Sequence, residues 1–246
     1  SYYLAGVSAM NDQNNDKAKT YFSYLIRKGN KQYSQVYQTM FKIYVDEKDT
    51  VEAMNTARKF VRAFPKSYEA DMLLSTAYRM TGNEEKSQES MNNALTKVAN
   101  DNEKSILLCA IGTSYENSAD YENAEKNYKE SLTLLPDQFI ANNALGLMFY
   151  NMAVDKLNAA NEVDILDETG LAEKLTEESK ALFRQCIDYC KAGVAFIDNL
   201  PAEQAANMRG SLHTCLMALK NAYLRLDMND EFKNVNDRIK KIEASN

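Results

Sequence analysis

Few side chains in this chain are equipped for chemistry. His213 is the only histidine and lies between Leu212 and Thr214 in a helical stretch. It therefore reads as a helix-surface or part-buried residue rather than a general base. Four cysteines, Cys109, Cys186, Cys190 and Cys215, form no C-x-x-C pair and are too sparse for a disulfide-stapled domain. Cys186 and Cys190 fall one helical turn apart on one face; as a metal pair they lack further ligands, so they read as small buried hydrophobes. The chain has no G-x-S-x-G elbow, no phosphate-binding glycine loop, no H-E-x-x-H and no zinc spacing. Glu84 and Glu85 are adjacent at a helix start, where the helix dipole favours solvated acids. The expectation is no catalytic residue, no metal and no cofactor.

The one strong concentration of charge is acidic. Residues 161–178 contain Glu162, Asp164, Asp167, Glu168, Glu173, Glu177 and Glu178 against Lys174, a local charge equal to the whole chain's net charge of -6. This reads as a solvated loop; the D-x-D-x-D-G spacing of an EF-hand is absent. With 29 basic and 35 acidic residues and no basic stretch, nucleic acid is not an expected partner. The longest apolar run, residues 144–150, is far short of the roughly 20 residues that span a bilayer.

The elements that must position any site are helices. Of 246 residues only 8 are glycine and 3 proline, so little interrupts helix formation. Two series of residues share one interval over the first 150 positions. Tyr44, Tyr78, Tyr115 and Phe149 are separated by 34, 37 and 34 residues, and Gly6, Phe41, Ser75, Gly112 and Gly146 by 35, 34, 37 and 34. Such a period marks a repeat architecture.

On these residues the chain resembles the tetratricopeptide repeat family, a helix-turn-helix unit of about 34 residues with the pattern W-x2-L-G-x2-Y, then A-x3-F, then P. In the fourth unit Leu108, Ile111, Gly112 and Tyr115 match the first-helix marks, Ala124 and Tyr128 the second, and Pro136 the end. The second unit supplies Tyr37, Met40, Tyr44, Ala53 and Pro65; the fifth keeps Leu145, Gly146 and Phe149; the first keeps Gly6, Ala18 and Phe22; the third keeps Leu74, Tyr78 and Gly82. The chain departs from the pattern in having no tryptophan, in Ala57 where the second unit should carry an aromatic, and in Ser87 and Met91 in the third. The implied fold is all-α: a right-handed α-α superhelix, the tetratricopeptide solenoid, with one extended helical hairpin.

Two antiparallel helices approach closely only where a small side chain meets a filling one, which explains the paired marks. Asp49 with Glu52 has capping-box spacing, Gly82-Asn83 can end one helix and cap the next, and Asp137 can cap the fifth unit. After Phe149 no turn follows; the helical pattern continues to Ala160. A return helix then runs from Leu171 to Ile197 before Pro201, with Gly170 at the turn. The expected organisation is residues 1–150 as repeat hairpins, 151–200 as the long hairpin with an acidic tip, and 201–246 as a degenerate sixth unit or cap. That last part is expected to hold two helices, roughly 202 to 227 and 230 to 244.

The resemblance implies a groove formed by the first helix of each unit, holding a protein or peptide. The register assigns to it Gln38 and Lys42; Met72, Thr76 and Arg79; Cys109, Thr113 and Glu116; and Asn143, Leu147 and Tyr150. Where some family members hold a terminal carboxylate with Lys and Asn, this chain has Tyr3, Val7, Met72 and Thr76, so that clamp is not implied. The reading is a noncatalytic scaffold or adaptor, with a homodimer or other self-assembling module and an envelope glycan-recognition module as alternatives.

Ser1-Tyr2-Tyr3-Leu4 runs straight into a helical pattern, as expected of a mature form or an excised part of a longer chain. The overlong fifth unit and the Leu219-Tyr223 ending resemble tetratricopeptide proteins of bacterial cell envelopes. That favours a periplasmic or envelope location over a cytoplasmic one.

Overall fold

A computed structural model describes residues 1–29, 31–164 and 169–244, which form thirteen α-helices and no strand. The first compact unit, Ser1–Leu107, contains α1 (Tyr2–Asn11), α2 (Asn15–Arg27), α3 (Gln35–Asp46), α4 (Thr50–Ala63), α5 (Tyr68–Met80), α6 (Glu84–Leu95) and the start of α7 (Asp101–Asn117). The second, Leu108–Asn246, holds the remainder of α7, then α8 (Tyr121–Leu134), α9 (Phe139–Glu162), α10 (Leu171–Asp198), α11 (Ala202–Asn207), α12 (Arg209–Arg225) and α13 (Asn229–Glu243). Within the first unit each helix from α1 to α6 packs on the next in chain order. No helix among the described residues is long and apolar enough to cross a membrane.

One turn design recurs. A residue of positive φ is followed by the residue that opens the next helix: Gln13 before Asn14, Lys48 before Asp49, Gly82 before Asn83, Ala119 before Asp120 and Asp227 before Met228. The backbone N–H of the opening residue donates back to the carbonyl of Ala9, Tyr44, Tyr78, Tyr115 or Tyr223 at 2.8 to 3.0 Å. In the first four turns the side chain of Asn14, Asp49, Asn83 or Asp120 accepts from the N–H three residues on. Each such cap contributes about 1 kcal/mol. Asp49 thus caps α4, while the Glu52 carboxylate accepts from Asn55. The opening of α9 differs from expectation: Gln138, not Asp137, is its cap, accepting from the N–H of Ile140.

The helix crossings follow the small and large marks. Gly6 meets the ring of Phe22, and Gly112 the ring of Tyr128. In the α3–α4 hairpin the sizes are exchanged: Phe41 occupies the glycine position and Ala57 the aromatic one, both buried in one apolar cluster. In the α5–α6 hairpin, buried Ser75 and Ser87 are joined by a hydroxyl hydrogen bond of 2.9 Å. That hairpin also carries a largely buried ion pair between Asp71 and Lys97.

α9 (24 residues) and α10 (28 residues) form a long antiparallel pair. Phe139 faces Phe196, Phe149 stacks on Tyr189 and Tyr150 meets Phe183 edge-on. Ser179 donates to the Ala153 carbonyl at 2.7 Å, and Lys156 pairs with Glu178. At 1.5 Å per residue α10 is about 42 Å long. Gly170, with φ +73, opens it. Of the expected acidic tip, Asp167 and Glu168 lie outside the described residues.

The C-terminal part holds three helices rather than two. At Met208 the N–H bonds to the Ala205 carbonyl, three residues back, so the winding tightens and α11 ends before α12 begins. Leu219 and Tyr223 of α12 and Ile239 of α13 are buried in the same core as α9 and α10.

Candidate binding groove

In the first unit, α3, α5 and the opening turns of α7 enclose a groove of about 380 Å³. α5 presents Tyr68, Glu69, Met72, Leu73 and Thr76, a stripe with a step of four that keeps to one face. α3 adds Gln38 and Phe41, and α7 adds Glu103, Ile106 and Leu107. Phe41 and Leu107 are buried and form the apolar floor, whereas Ile106 at the rim is 50 % exposed. Burial, followed by the charges of Glu69 and Glu103, pushes the Tyr68 phenol up. Thr76 donates to the Met72 carbonyl at 3.0 Å, leaving its oxygen able to accept. The groove thus offers apolar contact with a polar rim and contains no nucleophile paired with a base.

The residues assigned by register are placed as follows. Gln38, Met72 and Thr76 line this groove together. Lys42 and Arg79 are exposed on α3 and α5 and do not line it. In the second unit, Cys109 is 1 % exposed, within 3.1 Å of the Ser131 hydroxyl, and offers no surface to a partner. Thr113 and Glu116 converge on one group, the Tyr128 hydroxyl, at 3.1 and 2.8 Å. Asn143 accepts from Cys215 at 3.0 Å, and Leu147 is half-buried against the core. The Tyr150 hydroxyl accepts from Asn221 at 2.9 Å and borders a cavity of about 230 Å³ that Phe183, Leu224 and Arg225 also line.

Tyr68, Glu69, Glu103 and Ile106 are groove residues that the register did not assign. Their signal is an unbroken 34-residue step: Gln38, Met72 and Ile106 are equally spaced, as are Glu69 and Glu103. The register instead followed the 37-residue step of the crossing marks from Ser75 to Gly112. α7 has 17 residues against 13 in α5, and the extra turn at its start brings Ile106 to the position that Met72 holds on α5.

His213 lies on α12 with Nε2 3.3 Å from Glu243. Cys186 and Cys190 are fully buried with sulfurs 3.9 Å apart, and all four cysteines are free thiols. Among the described residues no three potential ligands are grouped to hold a metal.

Residues 106–138, which contain the Gly112–Tyr128 crossing, the Ala119–Asp120 turn and Pro136, match the family model of the tetratricopeptide repeat. This segment is similar to a tetratricopeptide repeat. Solved structures of the same fold include the C-terminal part of a tetratricopeptide-repeat protein from Cytophaga hutchinsonii, with a TM-score of 0.65 and 14% identity over 100% of this chain and 85% of that one. BtubC from P. vanneervenii follows at a TM-score of 0.61 and 15% identity, covering 100% and 92%. PilW, a type IV pilus biogenesis factor, has a TM-score of 0.55 and 14% identity over 98% and 91%. No curated protein matches the sequence.

Proposed function

We propose that this protein is a noncatalytic tetratricopeptide-type scaffold that holds an extended or helical segment of a partner protein against α3, α5 and the first turns of α7. One observation carries the reading: Ile106 and Met72 stand partly exposed over the apolar floor of Phe41 and Leu107, between three successive first helices. Apolar side chains of a segment have a place to be buried there, and Gln38, Glu69 and Thr76 provide hydrogen-bonding groups along its length. In this reading residues 1–150 supply the repeat hairpins, 151–200 the long hairpin and 201–246 a degenerate sixth unit. The turn at Asp227 and Met228, which repeats the geometry of the other four, supports that last assignment.

The test is a random-peptide display library selected on the whole protein. Enriched peptides are expected to share spaced apolar residues and to lose binding to the Ile106→Glu and Met72→Glu variants. Peptides that bind these variants as well as they bind the parent would move the site elsewhere, and a library without enrichment would remove the reading.

A further inference from the structure

A second cavity lies on another side of α3. It is about 590 Å³ in volume and is enclosed by the C-terminal end of α2, α3 and α4. α3 turns Tyr37, Met40 and Tyr44 to it, residues three and four apart and therefore on one face, while Gln38 and Phe41 face the groove described above. Ile26 completes the apolar lining. Four cations stand around it: Arg27 on α2, Lys31 in the following loop, and Lys59 and Arg62 on α4; Glu52 is the single carboxylate among the lining residues.

All four cations are exposed, and none forms an ion pair among the described residues. Arg27 and Arg62 stand in the last turns of their helices, where the carbonyl dipoles favour positive charge. Lys31 lies outside any helix and Lys59 precedes the last turn of α4, so the dipole does not explain them. In a chain of net charge -6, unpaired cations around an apolar hollow are a local reversal of sign.

We propose that this cavity is a docking site for an acidic segment of a partner protein, seating an apolar side chain between Ile26 and Tyr44 while flanking carboxylates pair with Lys31, Lys59 and the two arginines. Charge complementarity selects the class of ligand. The cations come from three separate segments rather than converging on one point, which suits several spaced carboxylates better than a single small anion. The apolar lining favours a peptide over a plain polyanion, which has nothing to bury there.

The test uses a short fluorescein-labelled peptide alternating glutamate with leucine, its glutamine-for-glutamate counterpart, and fluorescence anisotropy with the whole protein at low and high salt. The acidic peptide is expected to bind, to weaken with salt, and to lose about tenfold in affinity for the Lys59→Glu/Arg62→Glu variant, the size of two modest charge interactions reversed. A milder Lys59→Gln/Arg62→Gln variant should lose less, and both should keep the parent's helix content because the side chains are exposed. Ile106→Glu should leave this binding unchanged, which separates the site from the groove. The proposal is overturned if the acidic peptide does not bind, if the glutamine peptide binds equally well, or if the charge variants bind like the parent. It is equally overturned if inorganic phosphate or a single-stranded oligonucleotide of uridine displaces the peptide at concentrations where free glutamate peptide does not.

Discussion

A β-carbon on Gly112 would stand 2.7 Å from Cε1 of Tyr128, with two further ring atoms at 2.8 and 3.0 Å. The ring cannot swing clear, since it is fully buried and its hydroxyl is held between Thr113 and Glu116. Gly112→Ala should therefore cost about 2 kcal/mol, within the range for overpacking. Tyr128→Ala should cost about 3 to 5 kcal/mol through the cavity it leaves. Adding Gly112→Ala to Tyr128→Ala should cost little more, because the clash has gone. Urea unfolding followed by helix ellipticity across the four proteins measures the coupling, and simple additivity would show that the two residues do not constrain each other.

The exchange of sizes at Phe41 and Ala57 makes a second prediction. Both residues belong to the same buried cluster, so Phe41→Gly alone opens a cavity and Ala57→Phe alone overfills the space. Each should destabilise by about 1 to 4 kcal/mol. The double variant restores the arrangement seen at Gly6 with Phe22 and should recover at least half of the summed loss. Thermal melts read the outcome; a double variant less stable than both singles would mean that the crossing is not interchangeable.

These two crossings also mark what could be read from the residues alone. The crossings of Gly6 with Phe22 and of Gly112 with Tyr128 were legible because small and large side chains recur at a fixed interval. Phe41 with Ala57 and Ser75 with Ser87 looked like departures, yet a reversed size pair and a hydrogen-bonded hydroxyl pair satisfy the same crossing. The positive-φ turn residue was legible only at Gly82, since Gln13, Lys48, Ala119 and Asp227 share no side-chain type that marks it. The groove was legible in part: Gln38, Met72 and Thr76 follow from the interval, but Ile106 depends on the extra turn of α7, which no pattern of crossing marks encodes.

The turn geometry leads to a gain-of-stability prediction. Ala119 has φ +59 and is exposed, so its methyl group costs conformational energy without contributing burial. Glycine adopts this region freely, and Ala119→Gly should stabilise the protein by about 1 kcal/mol after the entropy of glycine is counted. Gly82 already occupies the equivalent position in the preceding repeat, and Gly82→Ala should have the opposite sign. A pair of urea titrations distinguishes the two; if Ala119→Gly destabilises, the turn is held by something other than its backbone.

The cysteines should behave as core residues and not as reagents. Cys109, Cys190 and Cys215 are buried, and each thiol is pushed up from its ordinary range: Cys109 by burial foremost, Cys190 foremost by its hydrogen bond with Cys186, and Cys215 foremost by its hydrogen bond with Cys190. Alkylation requires the thiolate, so both access and ionisation oppose it. The native protein treated with iodoacetamide at pH 8 should remain unmodified by mass spectrometry over a time in which the urea-unfolded protein takes up four equivalents. Raising the pH to 9 should change little, because all four sulfurs are buried and the thiols of Cys109, Cys190 and Cys215 are in addition harder to ionise. Replacing Cys190 with a larger side chain should be far worse than Cys190→Ala. Its sulfur lies 2.5 Å from where a β-carbon on Gly146 would stand, and the Cys190 backbone nitrogen is at 3.1 Å, so the α9–α10 crossing has no space to yield. Rapid modification of a single cysteine in the native protein would show instead that this crossing opens readily.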